Sequence, residues 1–511
     1  MIDTLIRDLS NSDAYPHDAG AIEVHQTHIS VVFLAGDFAY KLKKPLDLEF
    51  VDYSTLEKRR RFCQREIELN ARLAPDVYLD VVPIYFDASR DAHRIGEADN
   101  HESRQVVEWA VRMRRLSEED TLRTRLHNDG VPPGLFARLG EKLARFHREA
   151  DHSPEIAGCA RYAKVEKNAI DNFRQSRDQV GRTVDSDVFE RLQTHTGRHL
   201  SSLEPLMSRR ADSAIPRDTH GDLRLEHVYI ADDGSLFIVD CIEFNDAFRF
   251  ADPICDIAFL VMDLGFRGFD DEAQRFLSAY FDHSDDDEGR ELLDFYVAYR
   301  SCVRAKVHGF KSQEPEVPKA LREEAREKSQ AHWLYALSRL DPDHGPALFL
   351  LAGLPATGKS TLGRRWVADD KADLLIETDQ VRKELAGLDP DESAQDEFGS
   401  GIYTLEFTER TYTEVANRAR AALKKGKRVC VAATFVKDKR RLQLIDVARR
   451  MGVPVHFIEC QISEELAHQR LAARKNDISD ADVTVYDKLK EIWERPSPTV
   501  ARVHQTKDTS G

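Results

Sequence analysis

The stretch Gly353-Leu-Pro-Ala-Thr-Gly-Lys-Ser-Thr361 decides the fold of the second half of the chain. It fits the pattern G-x-x-x-x-G-K-[ST] and directly follows the apolar run Ala347-Leu-Phe-Leu-Leu-Ala352, which is typical of a buried parallel strand. A helical pattern with Leu362, Trp366 and Val367 comes next. This order predicts a phosphate-binding nest, because glycines let backbone N–H groups point at one phosphate and the helix N-terminus adds partial positive charge.

The side chains of this loop predict how a nucleotide is held. Lys359 is expected to reach the β and γ phosphates, and the Ser360 hydroxyl to complete a magnesium shell of water and phosphate oxygens. The residues predicted to bind the nucleotide here are the motif glycines and their polar neighbours: Gly353, Thr357, Gly358, Lys359, Ser360 and Thr361.

Charged side chains follow two later strand patterns. The pattern at 374–378 ends at Asp379, and Arg382 lies about one helical turn beyond it. Ligands bind at the carboxyl ends of parallel strands, so Asp379 is predicted to accept a hydroxyl proton while Arg382 holds substrate or phosphate. A helix N-cap is the alternative role for Asp379. Arg470 and Arg474 lie four residues apart on a helix and predict a phosphoryl clamp, or alternatively a solvated surface pair.

These pieces resemble the small P-loop metabolite kinases, a group that includes gluconate kinases, polynucleotide kinase domains and chloramphenicol phosphotransferase. The resemblance covers about residues 347–505. It implies that Asp379 is the acceptor-activating base and that Arg470 and Arg474 are lid residues. Such domains often carry Asp-Ala-Thr-Phe after the third strand, whereas this chain has Ala432 in place of the acid, so the resemblance supplies no carboxylate there to support magnesium.

A second motif lies in the first half of the chain. Thr219-His-Gly-Asp-Leu-Arg-Leu-Glu-His-Val228 is followed, after a predicted hairpin, by Val239-Asp-Cys-Ile-Glu243. This resembles the aminoglycoside phosphotransferase-like kinases, whose catalytic loop reads H-G-D-x-x-x-x-N. The resemblance implies that Asp222 orients and deprotonates the acceptor hydroxyl and that Asp240 holds magnesium; a turn aspartate and a helix cap are the alternative roles. His227 replaces the metal-binding asparagine, and imidazole suits manganese better than magnesium.

Two lysines precede this motif on one face of a strand pattern. Lys41 or Lys43 is predicted to pair with a carboxylate on the next helix, with Glu66 favoured, and so to fix the phosphates. Lys41 is preferred because Ala-Tyr-Lys matches the small-hydrophobic-Lys pattern, while two solvated lysines are the alternative. Residues 108–113, which end at Met113, are predicted to lie under the nucleotide base.

The order of these patterns predicts two domains. Strand patterns within 22–43 and 104–113 flank a helix at 56–73, and a mostly helical pattern follows from residue 133, which is the order of a bilobal kinase. The breaker-rich segment 341–346 interrupts the last of these helices. The predicted fold class is an α+β bilobal protein-kinase-like (aminoglycoside phosphotransferase) domain at 1–338, a linker at 339–346, and an α/β P-loop kinase domain with a parallel sheet at 347–511.

Composition narrows the class of partner. The 511 residues carry 74 basic and 90 acidic side chains, a net charge of −16, which argues against nucleic acid because phosphate neutralisation needs clustered Lys and Arg. No window approaches the roughly 18 apolar residues of a membrane helix. The acidic start is unlike a signal peptide, and seven scattered cysteines indicate reduced thiols. We therefore predict a cytoplasmic protein without a membrane partner; its oligomeric state stays open.

Nearly the whole chain resembles the bacterial bifunctional aminoglycoside phosphotransferase/ATP-binding family. Besides the two motifs, the resemblance rests on Tyr40-Lys-Leu-Lys-Lys-Pro45, Thr55-Leu-Glu-Lys-Arg59 and Cys241-Ile-Glu-Phe-Asn245. It implies ATP as cofactor, with Mg²⁺ or, in the first domain, Mn²⁺. The predicted function is a bifunctional kinase in which each domain transfers the ATP γ-phosphoryl to a hydroxyl of a sugar, polyol or nucleoside-type metabolite.

Two other functions stay open. One is a single P-loop kinase gated by a nucleotide-binding, catalytically weak first domain. The other is a nucleic-acid 5′-hydroxyl kinase or a toxin-like kinase of an activated sugar. The sequence does not decide between ATP and GTP, and it does not identify the acceptor.

Overall fold

A six-stranded antiparallel sheet lies near the start of the chain in the computed structural model, which describes residues 2–48, 51–97, 105–128, 130–389, 400–473 and 482–510. The strands of this region are β1 (Glu23–Gln26), β2 (Ser30–Ala35), β3 (Phe38–Lys43), β4 (Asp47–Leu48), β5 (Val51–Asp52), β6 (Tyr78–Asp87), β7 (Ala92–Ile95) and β8 (Val106–Arg114). The sheet order is β1-β2-β3-β8-β6-β7, and β4 pairs with β5. A turn at Gly36 and Asp37 joins β2 to β3, which pair as an antiparallel hairpin.

Helices dominate the chain between β8 and residue 340. The helices up to that point are α1 (Ile2–Leu9), α2 (Leu56–Ala71), α3 (Leu122–His127), α4 (Leu135–Glu149), α5 (Pro154–Cys159), α6 (Tyr162–Gln175), α7 (Ser186–Asp212), α8 (Pro253–Phe266), α9 (Asp270–Ser284), α10 (Leu293–Lys311) and α11 (Lys319–Leu340). The short strands among them are β9 (Arg217–Asp218), β10 (Val228–Ile230), β11 (Leu236–Ile238) and β12 (Phe250–Ala251). The β10–β11 pair is the predicted hairpin between the catalytic loop and Asp240.

A five-stranded parallel sheet forms the last part of the chain, in the order β14-β15-β13-β16-β17. Its strands are β13 (Ala347–Ala352), β14 (Leu374–Glu377), β15 (Arg428–Ala432), β16 (Val455–Gln461) and β17 (His504–Asp508). The helices that accompany it are α12 (Lys359–Ala368), α13 (Thr378–Ala386), α14 (Leu405–Lys424), α15 (Asp438–Arg450), α16 (Glu464–Ala473), α17 (Val483–Glu491) and α18 (Pro498–Ala501). All six residues of β13 are buried, as the apolar run predicted.

Contacts group the chain into two units, which we call the first and the second unit. The first unit comprises Met1–Val165, Glu204–Leu264 and Phe269–Leu292; the second comprises Glu166–Leu203, Gly265–Gly268 and Leu293–Gly511. Within the second unit one apolar core contains Trp333 and Leu337 of α11 together with Leu348 of β13 and Val429 of β15. The two units are defined by contacts and are each made of discontinuous segments, whereas the sequence analysis predicts continuous domains. The domain limits 1–338 and 347–511 therefore stay a prediction.

None of the helices in the described part of the chain combines the length and the apolar character that crossing a bilayer requires.

Candidate active site

Lys41 and Glu66 meet in the first unit, as predicted. Thr55 is the N-cap of helix α2, and its hydroxyl accepts a hydrogen bond from the Lys58 N–H at 3.2 Å; this cap fixes the start of the helix that carries Glu66. Lys41 Nζ lies 2.8 Å from Glu66 Oε1. Both side chains are largely buried, with 15% of Lys41 and 1% of Glu66 exposed, so only the lysine reaches the solvent side of the pair.

Lys43 also pairs with Glu66, on its other oxygen. Lys43 Nζ is 2.8 Å from Glu66 Oε2, and it also donates to Glu243 Oε1, which accepts a second hydrogen bond from Tyr53 at 2.7 Å. Only 1% of the Lys43 side chain is exposed. The two lysines therefore differ in setting: Lys43 belongs to a closed polar network, whereas Lys41 is the one that can reach a ligand.

Asp240 lies on the exposed side of Lys41. Its Oδ1 is 2.8 Å from Lys41 Nζ, and 47% of its side chain is exposed. Its backbone N–H donates to Tyr78 Oη at 3.1 Å, and its φ of +64° is a left-handed value that costs a non-glycine residue free energy and that clusters at functional sites. The Lys41 ammonium holds the pKa of the Asp240 carboxyl well below its usual range. A carboxylate held ionised and exposed is suited to binding a cation.

His220 fixes the backbone of the catalytic loop. Its Nε2 lies 2.9 Å from the Val239 carbonyl, which can only accept, so Nε2 carries the proton and Nδ1 accepts the Asp222 N–H at 3.3 Å. The imidazole is completely buried, and this burial lowers the pKa of His220 to about 4. Asp256 of α8 accepts the N–H groups of His220 and Gly221 at 3.1 and 2.9 Å. The backbone on either side of Asp222 is thus held by a buried neutral imidazole and by the Asp256 carboxylate.

Arg224 binds the Asp222 carboxylate with two parallel hydrogen bonds. Its Nε is 3.0 Å from Asp222 Oδ1 and its Nη2 is 2.8 Å from Oδ2. Nη2 also lies 3.1 Å from His227 Nε2, and Nη1 donates to Glu226. The predicted base therefore has a guanidinium as its immediate neighbour, an arrangement that the sequence motif did not indicate.

The donors around Asp240 partly fit the divalent ion that the family motif implies. Asp240 Oδ2 lies 3.6 Å from His227 Nε2, close enough for one ion to contact both atoms. One carboxylate and one imidazole leave most positions to nucleotide phosphates and water, and the nitrogen ligand suits Mn²⁺ better than Mg²⁺. A bound ion would neutralise charge on the phosphates. The predicted ligands Asp240 and His227 thus lie together.

Met113 is the remaining predicted residue of the first unit. It lies near the end of β8, opposite Ala39 in the register with β3. Two residues further along β3 the register pairs Lys41 with Val111. Met113 is therefore on the strand next to the one that carries Lys41, and its contact with a nucleotide base stays a prediction.

The glycine-rich loop of the second unit follows β13 and leads into α12. Gly353 and Gly358 have φ values of +143° and +84°, backbone angles that favour glycine and that a side chain would strain. Lys359 Nζ donates to the Leu354 carbonyl at 2.7 Å, and Thr357 Oγ1 donates to the same carbonyl at 2.8 Å. The predicted loop conformation is present, with the lysine folded back over the loop.

Ser360 and Thr361 form the first turn of α12. The helix begins at Lys359 with Gly358 as its N-cap, so backbone N–H groups of this turn face the loop. Ser360 is partly buried and Thr361 is exposed. This placement agrees with a hydroxyl near a metal-bound phosphate, a role that stays a prediction for Ser360.

Asp379 and Arg382 both lie on α13, which follows β14 directly. Asp379 is at the second position of the helix and is partly exposed. Arg382 is only 7% exposed; its Nη1 donates to the Ile402 carbonyl at 2.8 Å and lies 3.1 Å from Thr408 Oγ1. The arginine that was predicted to hold substrate therefore anchors the segment before α14 in this structure.

Arg470 lies between the phosphate loop and the residues after β17. Its guanidinium donates to the Ser510 carbonyl at 2.9 Å, to the Thr509 carbonyl at 3.3 Å and to the Ala356 carbonyl at 3.4 Å. Thr509 Oγ1 in turn donates to the Thr357 carbonyl at 2.6 Å. The predicted lid arginine is thus at the phosphate loop. Its predicted companion Arg474 is outside the described residues.

The sequence patterns missed Glu243 and Arg224 as members of the first site, and they named Lys43 only as the less favoured of two partners for Glu66. Their partners are set by tertiary packing: Lys43 and Glu243 are 200 residues apart. For Arg224 a local signal existed, since it stands two residues after Asp222 and two before Glu226. A basic residue flanked by acids in a catalytic loop is a reason to expect an internal ion pair.

Comparisons with known proteins agree with this organisation. Residues 56–293 match the "Phosphotransferase enzyme family", and residues 348–496 match an "AAA domain". The chain is 33% identical over 480 residues to an uncharacterized protein of Mycobacterium tuberculosis (strain ATCC 25618 / H37Rv), with 93% of this chain and 90% of that protein covered. A protein of Mycobacterium bovis matches with the same identity and coverage.

The chain belongs to the family that joins an aminoglycoside phosphotransferase-like domain to a P-loop kinase-like domain. The predicted family and fold class are thereby confirmed. Members of this family carry kinase-type domains, which use a nucleoside triphosphate and a divalent metal and act on a small-molecule substrate.

Two solved structures each match part of this chain. The GDP complex of aminoglycoside 2′-phosphotransferase-IIIa is 16% identical, covers 65% of this chain and 98% of its own, and has a TM-score of 0.40. A gluconokinase from Sinorhizobium meliloti 1021 is 18% identical, covers 32% of this chain and 84% of its own, and has a TM-score of 0.24.

Proposed function

We propose that this protein is a bifunctional ATP-dependent kinase of small molecules. One transfer of the γ-phosphoryl group would take place at Asp222 and the other at the phosphate loop around Lys359. Each acceptor would be an alcohol hydroxyl of a sugar, polyol or nucleoside-type metabolite. The proposal assigns the first reaction to residues 1–338 and the second to 347–511, and it places the protein in the cytoplasm with reduced thiols.

The observation that carries the proposal is the triad of Lys41, Glu66 and Asp240. Lys41 Nζ is 2.8 Å from both Glu66 Oε1 and Asp240 Oδ1, so one ammonium stands between a buried carboxylate and an exposed one. A kinase needs a fixed cation for the phosphates of ATP and a neighbouring acid for the metal. Asp222 would then accept the proton of the acceptor hydroxyl as the phosphoryl group leaves ATP.

The second unit supports a transfer of its own. Its glycine-rich loop, the α12 N-terminus and Lys359 would together bind the β and γ phosphates, which is supported by the positive φ values of Gly353 and Gly358. Asp379, at the start of α13, follows β14, which β15 separates from β13 in the same parallel sheet, and would serve as the base for a second acceptor. Arg470, which contacts the phosphate loop, would bring positive charge to the transferring group.

One observation favours a second candidate function, in which only the P-loop unit is catalytic and the first unit senses nucleotide. Asp222 is bound through both oxygens by Arg224, and the same guanidinium donates to His227. Arg224 engages one lone pair on each oxygen of this base, and its positive charge makes the carboxylate a weaker proton acceptor, so the pair would have to separate before a proton is taken up. In this alternative, changing Asp240 alters nucleotide affinity without removing a chemical step.

A screen of ATP consumption against sugars, polyols and nucleosides tests both candidates. Wild type, Lys359→Ala and Asp222→Ala would be assayed in parallel with Mg²⁺ and with Mn²⁺. Two activities, each lost in one variant and retained in the other, would support the bifunctional kinase. Turnover lost only in Lys359→Ala would support the sensor alternative, and phosphorylation confined to 5′-hydroxyl oligonucleotides would contradict a small-molecule acceptor.

A further inference from the structure

Arg224 has contacts that neither its motif position nor the proposed reaction explains. Its guanidinium donates to both oxygens of Asp222, to Glu226, and to Nε2 of His227 at 3.1 Å. Only 14% of the side chain is exposed, so these contacts are made in a protected site where charge interactions are strong. The four contacts join two acids and one imidazole of the catalytic loop around a single positive charge.

The contact with His227 decides what this charge does. His227 Nδ1 lies 2.8 Å from the Asp222 carbonyl oxygen, which only accepts, so Nδ1 carries the proton and Nε2 presents the ring's one lone pair. Arg224 Nη2 donates to that lone pair. The same Nε2 is the atom that faces Asp240 Oδ2 across 3.6 Å. A metal ion bound to His227 would need the lone pair that the guanidinium now uses.

We propose that Arg224 is a built-in counter-cation of the catalytic loop, which competes with the divalent metal for His227 and the neighbouring carboxylates and must turn away before the metal is bound. This inference rests on the proposed metal–nucleotide site of the first unit. It predicts that the protein binds free divalent ions weakly at this site, and that the metal enters together with the nucleotide, whose phosphates supply the further negative charge. Arg224 is then a positioning residue, not a metal ligand.

Arg123 provides a matched control. Its Nη1 donates to Glu226 Oε2 at 2.9 Å, and its Nη2 donates to Glu118. Its side chain is 36% exposed. Replacing Arg123 by glutamine therefore removes one positive charge beside Glu226, as replacing Arg224 does, but it leaves the contacts of Arg224 with Asp222 and His227 in place.

The test is a titration of the full-length protein with MnCl₂ and without nucleotide, with free Mn²⁺ followed by electron paramagnetic resonance. Arg224→Gln should bind Mn²⁺ at least about tenfold more tightly than wild type, because a full charge is removed a few ångströms from the ion. Arg123→Gln should stay within about twofold. Asp240→Asn added to Arg224→Gln should abolish the gain. Mn²⁺ bound elsewhere, for instance near Glu464, His468 and Asp487, whose ligand atoms lie within 4.8 Å of one another, is common to all variants.

The inference is wrong if Arg224→Gln binds Mn²⁺ no more tightly than wild type, or if Arg123→Gln shows the same gain. If the glutamine variant does not fold, Arg224→Lys replaces it in the titration. Lysine keeps the positive charge but cannot contact Asp222 and His227 at once. The affinity of this variant for Mn²⁺ should therefore be at least about threefold higher than that of wild type. No rise in that variant also overturns the inference. The titration contains no ATP or acceptor. It therefore tests the competition between Arg224 and the metal even if the proposed kinase activity is not found.

Discussion

Lys41 Nζ and Asp240 Oδ1 lie 2.8 Å apart although 199 residues separate them in the chain. Lys41 is on β3, and Asp240 follows the β10–β11 hairpin. Lys41 is the predicted phosphate ligand and Asp240 the predicted metal ligand, and in this structure they contact each other directly. Phosphates and metal would each take one partner of this pair. Nucleotide binding should therefore exchange the Lys41–Asp240 contact for contacts of both residues with the ligand.

The two lysines of β3 should respond differently to replacement. Lys43→Met leaves Glu66 and Glu243 buried without their shared counter-charge, so the first unit should lose about 3–5 kcal/mol of unfolding free energy. Lys41→Met should cost less stability but should weaken ATP binding at least about tenfold, because it removes a full charge facing the phosphates. Urea unfolding and ATP binding, both measured in a Lys359→Ala background, separate the two effects. Equal destabilisation with unchanged ATP affinity would contradict the assignment of Lys41.

His220 should make the stability of the first unit depend on pH. Its pKa is lowered to about 4 in the folded state, against about 6.5 in an unfolded chain. The folded state takes up this proton later as the pH falls, so stability should decrease from about pH 6.5 to about pH 4, by up to about 3 kcal/mol. Hydrogen exchange of peptides within 219–242, corrected for intrinsic rates, measures this loss. His220→Gln should reduce the pH dependence, and an unchanged slope would count against a buried neutral imidazole.

Each predicted base should control one activity only. Asp222→Asn and Asp379→Asn remove a proton acceptor without changing side-chain size, so each should lower the kcat of its own reaction about 10²–10⁴-fold. The KM for ATP should stay within about threefold in both variants, because the predicted phosphate ligands Lys41 and Lys359 are retained. Steady-state kinetics on the acceptors found in the screen provides the measurement. A loss of both activities in either variant would be incompatible with two independent bases.

Arg470 should hold the end of the sheet against the phosphate loop. Arg470→Gln removes charge-assisted hydrogen bonds to the carbonyls of Ala356, Thr509 and Ser510, so backbone exchange in 504–510 should accelerate at least about tenfold. Lys490→Gln is the control, because it removes an exposed ion pair with Glu464 on the same helix α16. Hydrogen exchange in 504–510 of the Lys490→Gln variant should stay within about twofold of wild type. An equal acceleration in the two variants would contradict the role of Arg470 in holding residues 504–510 at the phosphate loop.

Local sequence patterns were sufficient to predict features that depend on a motif or on the order of adjacent strands and helices. The phosphate loop, the hairpin before Asp240 and the pairing of Lys41 with Glu66 follow from motif spacing and from the strand-then-helix order. Arg382 shows the limit, because whether its guanidinium faces a ligand or the Ile402 carbonyl depends on how α13 and the segment before α14 pack. Strand β17 was missed for a similar reason: His504–Asp508 is polar and exposed, and only its pairing with β16 makes it a strand.

The helix α11 has a consequence for how the two halves of this protein can be separated. Trp333 and Leu337 are buried in one core with strands β13 and β15, although α11 precedes the phosphate loop in the chain. A gene break at 341–346 that removed α11 would therefore take Trp333 and Leu337 out of this shared core and expose apolar side chains, which favours aggregation. A rearranged gene that kept the P-loop half folded would have to carry α11 with it, so the unit that can be moved begins before the phosphate loop and before the linker.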